Sequence, residues 1–234
     1  MKSRKTDVAV GMGRDLSVKA HRQLIGYLGL LLPIVLYLMA GLRSTAGLQP
    51  WKLLSSVSAY YYTGAVGVFV GVLFALSLFL FAYRGYENDQ IDRIVGKIAC
   101  VAAIGVPLFP TKPPLGSLGP SWWTPIMDKL HLVSAIVLFG SFILFALWLF
   151  RKSRIPRFRD RPQEKQARDT VCLLCGIAMI LGMIWAVTAS FFGGSIFWPE
   201  TIAIEAFAVS WLTKGEAHLS VVRAARLVTN GRRN

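Results

Sequence analysis

Six apolar stretches, at about 24–42, 64–83, 94–109, 130–150, 171–192 and 196–212, divide this chain, and its basic residues are sorted by side. Each stretch is about as long as a helix crossing a ~30 Å hydrocarbon core must be, although the third and sixth are short. Of the 26 Lys and Arg, all but Arg43, Lys52, Lys112 and Lys129 fall on one side of such a layout. Cytoplasmic loops keep Lys and Arg during insertion, so this asymmetry predicts both class and orientation. The expected fold is all-α: a polytopic bundle of six transmembrane helices with cytoplasmic N- and C-termini.

With 54% hydrophobic and 16% charged residues, a soluble domain is a poor fit. The 234 residues leave no room beside six spans for a second domain, so 1–234 reads as one unit. The net charge of +14 follows from the basic face, which meets anionic headgroups, and nucleic acid is not expected as a partner. The first apolar run is too long for a signal-peptide core and reads as a retained helix. The expected location is a bacterial inner membrane, with membrane lipids as neighbours.

Details along the chain refine this layout. Pro33 should kink the first span unless a neighbouring helix satisfies the freed carbonyl. Thr63, Gly67 and Gly71 recur every four residues in the second span, a small-residue stripe that lets another helix, or a second copy of the chain, approach closely. The 110–127 connection is rich in proline and glycine, with Trp122 and Trp123 as interface anchors. Beyond Lys214, basic and apolar residues over 215–229 read as an interfacial helix.

Chemistry is most conspicuous in span six. Glu205 sits about 8 Å below Glu200 at a 1.5 Å rise per residue, where an ionised carboxylate costs on the order of 2.5–3.5 kcal/mol. It should therefore face the bundle interior, as a proton-accepting, cation-binding or ligand-orienting group, or as a structural hydrogen-bonding one. Asp128, His131, Ser134 and Ser141 share one face of span four, and His131 titrates near physiological pH. Thr201 shares a face with Glu205. If spans four and six pair, His131, Ser134, Thr201 and Glu205 line an outward-opening polar pocket roofed by Trp122, Trp123 and Trp198, with Asp128 and Glu200 as further pocket candidates at the same outer interface.

No cofactor is expected. Cys172 and Cys175 form a CxxC at the basic side, but Cys100 is the one further cysteine, and a membrane thiol oxidoreductase needs a second pair. Haem needs paired histidines within spans, and only His131 approaches one, since His21 and His218 lie at the basic surface. No HExxH or other zinc spacing is present.

Several segments together resemble a known pattern: Ser58-Ala59-Tyr60-Tyr61-Tyr62-Thr63, Phe69-Val70-Gly71, Tyr83-Arg84-Gly85-Tyr86, Leu108-Phe109-Pro110-Thr111, and Trp198 to Glu205 running into Ser210-Trp211-Leu212-Thr213-Lys214-Gly215. The pattern resembles uncharacterised bacterial six-span membrane proteins, and the hydropathy layout is distantly similar to the DUF998 and Frag1/DRAM/Sfk1-like group. The resemblance implies a six-helix bundle and carries over no catalytic residue.

The functional expectation is a non-enzymatic membrane protein that binds or passes a lipid or small molecule through an outward-facing pocket. Two alternatives stay open. One is a membrane-embedded enzyme acting on lipid, with Glu205 or His131 as base; the other is a structural or assembly subunit working through its Gly67–Gly71 face and basic surface.

Overall fold

The computed structural model describes residues 2–85, 90–117 and 119–217. Six helices follow one another: α1 (Lys2–Leu42), α2 (Val66–Phe81), α3 (Gln90–Leu108), α4 (Pro125–Leu147), α5 (Gln163–Phe191) and α6 (Phe197–Lys214). Short 3-10 turns occupy Ser58–Tyr62, Leu149–Arg151 and Phe158–Asp160, and no strand occurs among the described residues. Three stretches are long and apolar enough to cross a membrane: Ser17–Leu42, Pro125–Arg151 and Gln163–Phe191. α2 is apolar but shorter. α3 carries Asp92, Arg93 and Lys97, and α6 carries Glu200, Glu205 and Lys214, which dilute their apolar content.

α1, α3, α4 and α5 begin before their apolar runs, whereas α2 lies within its own. α5 starts at Gln163, eight residues before its apolar stretch, because Lys165 and Asp169 pair at i,i+4 (2.5 Å) across its first turns. α4 opens on Pro125 at its first turn after an extended Thr124, the position proline tolerates best. α5 stops where Gly193 takes a positive φ of 69° and Gly194 N–H reaches back to the Ala189 carbonyl (2.8 Å). α1 runs through Pro33 without a break. The interfacial helix expected over 215–229 lies outside the described residues from 218 onward.

Each helix packs on the next in sequence, and α6 closes the ring against α1. Glycines set the close approaches. A Cβ at Gly26 would lie 2.6 Å from Leu212, and one at Gly29 3.0 Å from Phe207, so α1 and α6 touch nearly backbone to side chain. A Cβ at Gly182 would lie 3.0 Å from the Pro199 carbonyl oxygen of α6, and one at Gly96 2.9 Å from the Leu80 carbonyl oxygen of α2. Gly67 and Gly71 behave differently from the expected packing stripe. A Cβ at either would meet nothing within 4 Å, and both are exposed, so among the described residues no helix packs on them. Thr63 caps the entry to α2, its Oγ1 donating to Tyr60 C=O (2.7 Å) and accepting from Ala65 N–H (3.1 Å).

One end of the ring, the basic end, carries residues 82–85, the 148–162 connection and the α6 terminus. Its carboxylates tie elements together there. Asp92 pairs with Lys152 (2.9 Å); Asp169 pairs with Arg161 (2.7 Å) and Lys165; Glu216 takes Lys19 (2.6 Å) and Arg168. Just inside it, Tyr83, Phe145, Phe150 and Trp211 form an edge-to-face aromatic plug, with Phe145, Phe150 and Trp211 fully enclosed. The opposite, proline-rich end carries the 43–65 and 192–196 connections and residues 109–117 and 119–124. Every helix also presents large apolar side chains to the outside, among them Leu31, Leu78, Val101, Leu132, Leu181 and Ile202. An apolar exterior on this scale is foreign to a water-soluble monomer.

Candidate functional site

A cavity of about 70 Å³ lies inside the ring, between α1, α2, α3, α4 and α6. Its walls are apolar: Leu28 and Leu32, Leu73 and Leu76, Leu138 and Phe142 are typical. Phe142 of α4 and Phe207 of α6 stack with ring centroids 3.7 Å apart and border its inner part. The volume exceeds several times the ~10–15 Å³ that one water needs, but the lining offers water few partners. Polar groups enter toward the proline-rich end, as Glu200 and Ser58.

Glu200 is placed by helical periodicity. Residues 200, 204, 207 and 211 fall on one face at about 100° per residue, and that face points into the ring. Oε2 accepts the Val57 N–H (2.7 Å), and among the described residues Oε1 has no protein partner and no cation pairs with the carboxylate. The side chain is enclosed by the bundle yet keeps some accessible surface, because it borders the cavity. An enclosed carboxylate with a single donor is an unfinished hydrogen-bonding site.

The segment before α2 closes the head of the cavity. Ser55 C=O accepts from Ile196 N–H (2.7 Å) and from the Ser195 hydroxyl (3.2 Å), and together with the Val57–Glu200 bond this clamps residues 55–57 onto the start of α6. The following 3-10 turn buries Ala59, Tyr60 and Tyr62. Tyr62 donates to Thr111 C=O (2.5 Å); burial pushes its phenol up to about 12, helped by Tyr61 and Asp128, so it stays a donor. Irregular backbone beside apolar helices is tolerated where it is enclosed by protein and lines a void.

His131 is fixed by prolines. Val106 C=O would accept from residue 110 and Phe109 C=O from residue 113, but both are proline and have no N–H. His131 Nδ1–H donates to both carbonyls, each at 2.9 Å. That sets the tautomer, so Nε2 is the acceptor and receives the Ser58 hydroxyl at 2.9 Å. Ser58 thus faces the cavity with His131 behind it.

The remaining expected residues are dispersed. Asp128 Oδ1 accepts from the Thr111 hydroxyl (2.9 Å) and Lys112 N–H (2.8 Å), stapling the proline-rich connection to α4. Ser134 packs on Gly105 of α3. Thr201 Oγ1 is buried with no partner among the described residues, and Glu205 is half-buried on the flank of α6, about 140° around from Glu200. Trp122 and Trp198 are exposed, and Trp123 Nε1–H donates to Pro110 C=O (3.1 Å), so none of the three roofs the cavity. The polar face of α4 therefore turns toward α3 and the 55–62 segment, not toward Thr201 and Glu205. The sequence alone does not single out Ser58 as a site residue. The readable signal was three serines and a threonine within 55–63, too many hydroxyls for an anchoring segment and well suited to capping irregular backbone.

Among the described residues, no group of three or more His, Cys, Asp or Glu could hold a metal ion. Cys100, Cys172 and Cys175 are free and buried. No protein-family model, curated protein or solved structure matches the chain.

Proposed function

We propose that this chain is a six-span inner-membrane protein, basic end in the cytoplasm, that binds or passes an amphiphilic lipid or small molecule through the cavity headed by Glu200. The apolar outer faces of all six helices and the one-sided placement of Lys and Arg support the membrane topology. The observation that carries the function is the Glu200 carboxylate itself, enclosed, cation-free and half-satisfied at the head of an apolar void. A ligand with a hydrogen-bond-donating or ammonium head and an apolar body would complete it. The head would sit on Glu200 Oε1 and Ser58, and the body would lie between α1, α2 and α4. The 55–57 clamp would have to open to admit it from the outer side.

The test is mass spectrometry of molecules co-purifying with wild type, Glu200→Gln and Glu205→Gln. The reading expects a specific molecule in wild type and in Glu205→Gln that is missing from Glu200→Gln. Bulk membrane lipid alone in all three sinks it.

A second reading, a membrane-embedded enzyme acting on lipid esters, rests on the Ser58–His131 hydrogen bond. Ser58 Oγ would attack the ester carbonyl while His131 Nε2 takes its proton; the proton then leaves with the alcohol, and water releases the acyl group from Ser58. A fluorophosphonate probe decides this reading: it labels Ser58 in wild type but not in His131→Ala, or it does not label Ser58 at all and the enzyme reading falls.

A further inference from the structure

At the basic end the protein has a second, differently charged pocket. It has a volume of about 150 Å³ and lies between the Ser17–Arg22 stretch of α1 and the segment leaving α2, with Ser17, His21, Arg22, Tyr83 and Arg84 on its walls. The volume is about ten times what one water needs. His21 is held in place by its Nε2–H bond to Phe79 C=O (2.8 Å), with its ring edge-on to Phe79 at 5.2 Å. Tyr83 is buried and packs against the aromatic plug, and the Arg22 guanidinium lies 6.0 Å from its ring centroid. The floor and one wall are therefore fixed.

What marks this pocket is the state of its cations. Elsewhere at this end five cations are matched, Lys19 and Arg168 on Glu216, Arg161 and Lys165 on Asp169, Lys152 on Asp92, while Arg151, whose Nε is also buried without a partner, donates to the Leu147 carbonyl. Among the described residues neither Arg22 nor Arg84 has a carboxylate partner, and Arg22 Nε is buried without any hydrogen-bond partner. Leaving a buried N–H unmatched is costly, and a guanidinium is the side chain best shaped for a tetrahedral oxyanion. The Ser17 hydroxyl adds a neutral donor. The pocket also sits at the first residue of the Ser17–Leu42 stretch, the depth at which a phospholipid headgroup would lie.

We propose that this pocket binds a phosphate group between Arg22 and Arg84, supplied by an anionic phospholipid headgroup or by free phosphate. The site is separate from the Glu200 cavity, with the aromatic plug between them, and does not depend on it.

The experiment is native mass spectrometry of the full chain released from phosphatidylcholine nanodiscs doped with phosphatidylglycerol, with and without inorganic phosphate. The variants are Arg22→Gln, Arg84→Gln and their pair, with Arg157→Gln in the exposed basic loop as a charge-matched control. Each pocket substitution should lower phosphatidylglycerol retention about tenfold, and the control should leave it unchanged. Displacement by inorganic phosphate alone, with the same dependence on both arginines, keeps the site and names free phosphate as its ligand. Equal losses in pocket and control variants would reduce the effect to surface charge and overturn the proposal, as would full retention in the double variant. Should the double variant fail to fold, Arg22→Lys and Arg84→Lys carry the test. They keep the charge but lose the fork, and retention equal to wild type in both would refute a bidentate phosphate site.

Discussion

His131 links three pieces of backbone, and replacing it separates the contributions of its two nitrogens. Nδ1–H serves Val106 and Phe109, two carbonyls that Pro110 and Pro113 deprive of helical or turn partners, while Nε2 receives Ser58. An asparagine amide nitrogen falls near the Nδ1 position and a glutamine amide near Nε2. His131→Asn should keep the carbonyl contacts and lose the Ser58 bond, a neutral one worth about 1 kcal/mol. His131→Gln should keep Ser58 and leave buried carbonyls without a donor, costing roughly 1–3 kcal/mol. His131→Ala loses both and opens a void, for about 3–5 kcal/mol in all. For a chain of this size each kcal/mol moves an unfolding midpoint by about 2–4 °C. Thermal unfolding in detergent, followed through the 7 tryptophans, should therefore rank wild type, Asn, Gln and Ala in that order. A glutamine variant as stable as wild type, with asparagine as poor as alanine, would refute the idea that His131 is there to cap the end of α3.

Other substitutions test the packing. Gly182→Leu drives a side chain into the Pro199 carbonyl and Ala203, and should cost about 1–3 kcal/mol by overpacking the α5–α6 contact. Gly71→Leu meets open space and should stay within about 0.5 kcal/mol of wild type, so any change in size-exclusion mass would reveal a second copy on that face. Burial pushes the Glu216 carboxyl up, but Lys19 and Arg168 outweigh it and hold it below the usual carboxylate range. A depressed carboxylate stabilises above its unfolded pKa and stops doing so as pH falls through the folded one. Wild type should accordingly lose midpoint temperature between about pH 5 and about pH 3, and Glu216→Gln should lose less of it.

The all-helical architecture was legible because apolar runs of membrane length leave the chain few other solutions. Helix ends were less so. The first turns of α5 are polar, and only the Lys165–Asp169 pairing, closed by Arg161 from the preceding loop, makes them part of the helix. The site was half legible. Depth in the membrane drew the reading to Glu205, but depth says nothing about direction. Phe207 and Trp211 are the bulky residues of α6 that the ring encloses, and counting back from them by seven and eleven residues reaches Glu200, not Glu205. The part played by Ser58 was hidden for another reason. It depends on a 3-10 turn tucked between helices and on carbonyls orphaned by Pro110 and Pro113, far along the chain, contacts that no local pattern encodes.

The central claim, that Glu200 receives the polar head of a cavity ligand, is tested most directly by thermal stabilisation with matched amphiphiles. Single-chain compounds bearing an ammonium, a neutral or a carboxylate head would be titrated into wild type, Glu200→Gln and Glu205→Gln. Saturation at about 100 times Kd stabilises by about 2.7 kcal/mol. The account predicts that the ammonium compound stabilises wild type and Glu205→Gln, that the carboxylate compound does not, and that Glu200→Gln abolishes the difference. Stabilisation indifferent to headgroup, or abolished by Glu205→Gln and not by Glu200→Gln, would contradict it.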